Sequence, residues 1–165
     1  MPAKGDTATA PQRYRIDYSG AGSALPSIAL RAPDGSTRDL ATLKGKPVLL
    51  NLWATWCAPC VEELPTIDSL AARTSGTAHV VALSQDIGDD ASVPSRFLND
   101  RGWTHVAAWH DPENELGITV GGALPTTIVY DAAGREVGRV IGPLDWNGSD
   151  ATELLAKAGF PNLGG

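Results

Sequence analysis

The chain has 165 residues, 42% of them apolar, which fits one domain of ordinary size with a substantial core. A formal net charge of −6 excludes a surface of clustered lysine and arginine, and with it nucleic acid as a partner. No stretch approaches the ~20 apolar residues that span a bilayer, and two cysteines three positions apart cannot staple distant parts of a fold, so stability must come from packing.

Residues 1–24 are rich in Ala, Ser, Gly, Thr and Pro and contain no hydrophobic signal core. They are read as a flexible lead: the remnant of a removed anchor or signal, or simply a polar start. Residues 25–165 form the expected domain. Leu25 to Leu40 reads as a β-hairpin turning at Pro33-Asp34-Gly35, and Ala41 to Lys44 as one helical turn. "PVLLNLW" is apolar except for Asn51, the pattern of a strand covered on both faces. From Pro59 to about Arg73, Val61, Leu64, Ile67, Leu70 and Ala71 recur at three or four residues, predicting an amphipathic helix with Pro65 inside it. "AHVVALSQD" is a second buried strand. Ser92 to Asn99 is a helix with Ser92 as its cap, and "VAAWH" is a shorter strand. "DPENEL" starts a helix with Asp111 as cap and Pro112 in the first position. "TTIVYD" and "REVGRVIG" form a second hairpin through Ala-Ala-Gly134, and Ser149 to Ala158 closes the chain as a helix. Strands alternating with helices, then a final hairpin, predict an α/β fold: a central mixed β-sheet flanked by helices, with an added N-terminal β-hairpin.

The chemistry concentrates in "WATWCAPCVEELP", Trp53 to Pro65, which holds both cysteines. A strand ends near Trp53 and a helix starts at about Ala58 to Cys60, so Cys57 sits at a helix N-terminus. Unpaired N–H groups and the positive dipole end there favour thiolate over thiol. Cys60, one turn on, is placed to attack a mixed disulfide formed by Cys57, which makes Cys57 the nucleophile and Cys60 the resolving thiol. Ala58 leaves the approach open and Pro59 stiffens the loop. The competing reading is half of a structural zinc site; the other half is missing, because there is no third cysteine and His79, His105 and His110 show no ligand-like pairing. No metal is expected. Glu63 follows Cys60 by three residues on the same helix face. It either takes and returns the Cys60 proton or is a solvated residue like Glu62. Asn51, in the strand beneath, wants a hydrogen-bond partner. In "GGALPTT", Pro125 is either a trans turn residue or a cis proline that leaves the Leu124 and Thr126 backbone edges free to pair with an incoming peptide. Trp56 flanks the nucleophile as part of an apolar docking surface. Trp53, Trp103, Trp109 and Trp146 are assigned to packing.

These segments resemble the TlpA/ResA family of thioredoxin-like proteins. "WATWCAPCVEELP" is similar to its active-site segment, "LPTTIVYDAAGREVGRVIGP" to its cis-proline and hairpin, and "APDGSTRDLATLKGKPVLLNLWATWC" to its extra N-terminal hairpin. "IGPLDW" is most similar to the TlpA branch. The resemblance runs from about Leu25 to Phe160. It implies a thioredoxin fold and a thiol–disulfide oxidoreductase in which Cys57 is the exposed nucleophile, Cys60 the resolving cysteine, Glu63 the nearby acid and Pro125 a cis proline. Trp56, Ala58, Pro59, Leu124, Pro125 and Thr126 would then meet the substrate. No cofactor is implied beyond the Cys57–Cys60 disulfide. The partners implied are a disulfide-bearing client (an apocytochrome, an oxidase copper-site subunit or a copper chaperone) and a membrane thiol electron donor, with the protein itself a monomer. Members are exported and membrane-anchored, facing the periplasm or outer surface; an anchor is not among these residues. A peroxiredoxin-like peroxidase would carry Thr where Ala54 stands. A copper-binding chaperone would space its cysteines one residue wider and add a distant histidine. A redox-inactive interaction module is a further alternative.

Overall fold

A computed structural model describes residues 12–161 and 163. Its centre is the strand that the apolar run predicts. Val48–Trp53 (β4) is buried at every position and lies between Thr126–Tyr130 (β7), antiparallel to it, and His79–Ser84 (β5), parallel to it. Because side chains alternate across a strand, Leu49, Asn51 and Trp53 face one side of the sheet while Val48, Leu50 and Leu52 face the other. Two cores follow. Leu49 and Trp53 pack with Leu64, Ile67 and Leu70 of the helix Ala58–Arg73 (α1) and with Leu154 and Leu155 of the closing helix. Val48, Leu50 and Leu52 pack with Leu40 and Leu43 of the 3₁₀ turn Leu40–Leu43 and with Trp109. Each fully buried Leu or Ile contributes about 1.5–3 kcal/mol over its exposed state, so α1 is held by its apolar stripe.

Among the described residues the sheet has eight strands in the order β1-β8-β7-β4-β5-β6-β2-β3. These are Arg15–Asp17 (β1), Ala29–Arg31 (β2), Thr37–Asp39 (β3), β4, β5, Ala107–His110 (β6), β7 and Glu136–Ile141 (β8). Only β4–β5 and β5–β6 pair in parallel, so the sheet is mixed as predicted. The β2–β3 hairpin joins it through β6, where Arg31 pairs with His110. The remaining helices are Ser92–Asp100 (α2), Glu115–Thr119 (α3) and Ser149–Lys157 (α4).

Several local expectations are corrected. The ordered chain begins before Leu25: β1 pairs antiparallel with β8, Tyr14 hydrogen-bonds Asp150, and Gly22 N–H donates to the Glu136 carbonyl at 2.8 Å. A three-residue strand in a polar stretch carries too short an apolar pattern to be seen in sequence. The rest of the expected flexible lead, residues 1–11, lies outside the described residues. Ser92 is the first residue of α2 and not its cap; its N–H donates to Asp90 Oδ1 at 3.0 Å. Nor is Asp111 the N-cap residue of α3, which is Asn114, although its carboxylate accepts from Glu115 N–H at 3.0 Å and Leu116 N–H at 2.8 Å. Pro112 is not helical, because Asn114 turns left-handed at φ 54° and the helix starts only at Glu115.

Gly142, just past β8, ties β1 to the rest. Its N–H donates to the Pro125 carbonyl at 2.9 Å, its φ is +101°, and an added Cβ would lie 2.2 Å from the Arg13 carbonyl oxygen. Gly22 has a similar φ of +92° but open space around it. Gly22→Ala should therefore cost about 1 kcal/mol, from the backbone alone. Gly142→Ala should cost about 3 kcal/mol, because β1 must also move. Urea unfolding midpoints of the two variants check this; equal losses would mean that the β1 docking contributes nothing.

Candidate active site

The segment between β4 and α1 is a tight turn. The Ala54 carbonyl accepts the Cys57 N–H at 3.1 Å, and the Cys57 carbonyl accepts Val61 N–H at 3.1 Å, the first bond of the helix. Cys57 is thus the N-cap, with extended backbone and no side-chain cap bond, and Pro59 occupies the first turn where no N–H partner exists. Cys57 and Cys60 are joined in a disulfide with their Cα atoms 5.3 Å apart. Cys57 retains 6% exposure and Cys60 none, so only Cys57 can be reached from outside. Around it Trp56 stands 72% exposed, Ala58 is exposed and Pro59 half-buried. Asp86 pins this loop: it accepts from Thr55 Oγ1 at 2.7 Å and Ser84 Oγ at 2.6 Å, and both its oxygens face Thr55 N–H.

Leu124–Pro125 is a cis peptide bond, as the resemblance implies. Leu124 lines a cleft of about 350 Å³ with Trp56, Gln85, Asp86, Ile87 and Asn114, while Pro125 is buried. The expected free edge at Thr126 is not there. β7 is an interior strand, Thr126 is in register with Leu52 on one side and Ile141 on the other, and its hydroxyl donates to the Ala123 carbonyl at 2.8 Å. The order of strands, which decides which edges are free, is not written locally in the sequence.

Glu63 is not a solvated helix residue: it is 3% exposed. Its Oε1 accepts from Asn51 Nδ2 at 3.1 Å; its Oε2 accepts from Leu144 N–H and from Trp146 Nε1, both at 2.9 Å. Asn51 finds a second partner in Thr127 Oγ1 at 2.9 Å. Burial pushes the Glu63 carboxyl up to about 7, against the opposite pull of those three donors. It lies one helical turn from Cys60 on the same sheet-facing side and borders a cleft of about 240 Å³ with Arg13, Glu62, Thr66, Leu144 and Asp145. Sequence reasoning missed Trp146 and Asp86; Trp146 is 83 residues from Glu63 and Asp86 is 31 from Thr55, and no short-range pattern marks those contacts. Among the described residues no group of three or more His, Cys, Asp or Glu side chains gathers as for a metal ion. His105 faces Asp68 and His110 the Asp86 carbonyl.

Comparison with known proteins places the chain firmly. The Redoxin family matches residues 20–155. The thiol-disulfide oxidoreductase ResA of Bacillus anthracis is 32% identical over 122 residues, covering 73% of this chain and 69% of the relative. The thiol:disulfide interchange protein HelX of Rhodobacter capsulatus is 34% identical over 127 residues, covering 75% and 69%. Among solved structures, a DsbF homologue from Corynebacterium diphtheriae shares the fold with a TM-score of 0.71 at 23% identity, over 88% of this chain and 93% of that one. The exposed lipoprotein thioredoxin Etrx1 of Streptococcus pneumoniae superposes with a TM-score of 0.63 at 27% identity, over 80% and 99%.

The burial of Glu63 has a thermodynamic consequence. Its folded pKa, about 7, exceeds the ordinary 4.5 that it has in the unfolded chain. Below 4.5 it is protonated in both states. As pH rises from 4.5 to 7, the unfolded chain releases the proton first, so stability falls across that window by about 3 kcal/mol and is level above it. Glu63→Gln should abolish this slope. Its single oxygen keeps the Leu144 and Trp146 donors, and its amide is accommodated by turning the Asn51 amide, whose Oδ1 has no partner. Urea titrations of the oxidised protein at pH 4.5 and 7.5 measure the difference between the two proteins.

Proposed function

We propose, from the premise that this chain belongs to the Redoxin family and is a thiol–disulfide oxidoreductase, that it reduces specific partner disulfides through Cys57 as nucleophile and Cys60 as resolving thiol. One observation carries this: the Cys57–Cys60 bridge closes at the N-terminus of α1 with Cys57 alone retaining exposure. In the dithiol form, backbone N–H groups and the helix dipole favour the Cys57 thiolate. That thiolate attacks one sulfur of the client disulfide; the client S–S bond breaks, and the departing client sulfur takes a proton. A mixed disulfide now links Cys57 to the client. Cys60 gives its proton to the Glu63 carboxylate and attacks Cys57 Sγ. The Cys57–client bond breaks, and the second client sulfur leaves as thiolate. Two electrons have moved to the client, and the bridge is closed. A membrane thiol donor reopens it; the electrons travel on sulfur, and no cofactor enters.

The client is a disulfide-bearing protein of cytochrome maturation, an apocytochrome, or of oxidase copper-site assembly. The TlpA/ResA resemblance supports this client class; relatives named for thiol–disulfide oxidoreduction and interchange support a disulfide as its target. Trp56, Ala58, Pro59 and Leu124 form the face that meets it, with the apolar indole and the adjoining cleft giving contact area. The net charge of −6 favours a client with basic residues near its cysteines. The domain works as a monomer on the outer side of the cytoplasmic membrane, tethered in its full-length form. A relative of the same fold named as an exposed lipoprotein supports that location. Among the described residues no helix is long and apolar enough to cross a membrane.

Cys60→Ala is the decisive variant. Exposed in reduced form to an oxidised client, it should accumulate a dithiothreitol-sensitive adduct through Cys57, visible on non-reducing gels and by mass spectrometry, whereas Cys57→Ala should form none. An adduct carried by Cys60 in Cys57→Ala, or no adduct with either variant, overturns the division of labour between the two sulfurs.

A further inference from the structure

Trp146 makes a contact that its packing does not require. Its ring is buried in the core between α1 and α4. Its backbone N–H donates to Thr66 Oγ1 at 3.1 Å, and that hydroxyl donates to the Glu63 carbonyl at 2.9 Å. The loop after β8 is therefore clipped to α1 without any use of the Glu63 carboxylate. The indole N–H, donating to Oε2, is an additional bond directed at a buried carboxylate one helical turn from Cys60.

The chemistry of the donors separates their roles. Asn51 offers Nδ2 to the carboxylate, but its buried Oδ1 is unpartnered, so by turning over it can equally accept from a protonated Glu63. The indole of Trp146 has a donor and no acceptor, so it serves only the carboxylate. Trp146 is the side chain here that tells the two protonation states apart. Other charged groups do not take over that role. Glu62 on α1, Arg13 ahead of β1 and Asp145 in the loop after β8 line the same cleft, but Arg13 pairs with Glu62 at 2.6 Å. The neighbours presented by β4 and β7, Asn51 and Thr127, are uncharged.

Building on the reading of Glu63 as acceptor of the Cys60 proton, we propose that Trp146 is a positioning residue for the resolution step: its indole N–H holds Glu63 Oε2 and keeps the group a carboxylate when Cys60 must lose its proton. Without that bond the acid form gains, and the step requires a higher pH.

Dithiobis(nitrobenzoate) tests this on the full reduced protein. Cys57 attack releases the first thionitrobenzoate, and Cys60 attack on the resulting mixed disulfide releases the second. In the native protein the rate of the second release should inflect near pH 7, where Glu63 titrates. In Trp146→Phe the inflection should move up by about one pH unit, the size of one lost charge-assisted hydrogen bond, and at pH 7 the second release should slow about fivefold relative to the first. Because Phe leaves a gap in the core, 3-benzothienylalanine introduced at position 146 is the companion variant; it keeps the bicyclic shape, lacks only the N–H, and should give the same shift. Glu63→Gln should remove the inflection. If it does not, the reading of Glu63 itself fails. If it does, but both replacements at 146 leave the midpoint in place, the role of Trp146 alone is overturned.

Discussion

A buried carboxylate on one helix, held by three donors from two other parts of the chain, organises this molecule. Glu63 sits in α1, Asn51 reaches it from the central strand, and Leu144 and Trp146 reach it from the loop that leads into the last helix. Taking a carboxylate out of water is costly, and such a group remains ionised only if its oxygens are well supplied with hydrogen bonds. The parts of the fold that flank the cysteine pair must therefore keep their spacing, because any one of them moving away strands a charge. The apolar stripe of α1 supplies most of the packing energy, and the Glu63 contacts specify where the helix stops relative to β4 and the final loop.

Two separate openings flank the cysteine pair and Glu63. Trp56, Asp86, Ile87 and Leu124 border one cleft; Arg13, Glu62, Glu63 and Asp145 border the other, and the two have no lining residue in common. A client docked at the first, as proposed, would leave Glu63 a route to solvent at the second. The N-terminal segment contributes to this second opening. Arg13 lies there because the following residues pair as β1 along β8, and Gly142 permits the close approach. A stretch that composition marks as an uncommitted lead is thus part of the wall of the cleft beside Glu63.

How far the sequence discloses this depends on the range of the interaction. β4, β5 and α1 are legible because their signal is a run or a period of apolar residues, and each is decided by burial of the side chains that make the pattern. The cysteine pair is legible because the strand–turn–helix context and the three-residue spacing are local. Glu63 is legible only as a residue one turn from Cys60. Spacing leaves open whether it faces water or the sheet, since Glu62 beside it has the same chemistry and points outward. Trp146 is 83 residues from the carboxylate and sits among apolar neighbours, so it reads as core; what distinguishes it is one N–H, and only the fold shows what that N–H meets. Thr126 is misread for a related reason. Its neighbours in the sheet come from β4 and from β8, and strand order is a property of the whole chain.

The ionisation of Glu63 follows from a balance that neither burial nor hydrogen bonding sets alone. At its ordinary value of 4.5 the group would be a carboxylate throughout the neutral range, but a weak base toward a thiol. Fully desolvated and without donors it would stay protonated and take nothing. Burial raises it, the three donors pull it back, and it comes to rest at about 7. In the proposed mechanism a base poised there would accept a proton from Cys60 when the bridge closes and surrender it when the bridge is reopened, so that one residue serves both directions of exchange. The donors are unequal in this. A backbone N–H and an indole N–H can only favour the charged form, while the Asn51 amide can face either way. Set against desolvation, the two fixed donors hold Glu63 available as a base, and the reversible one lets its protonated form persist without an unpaired hydroxyl in the core.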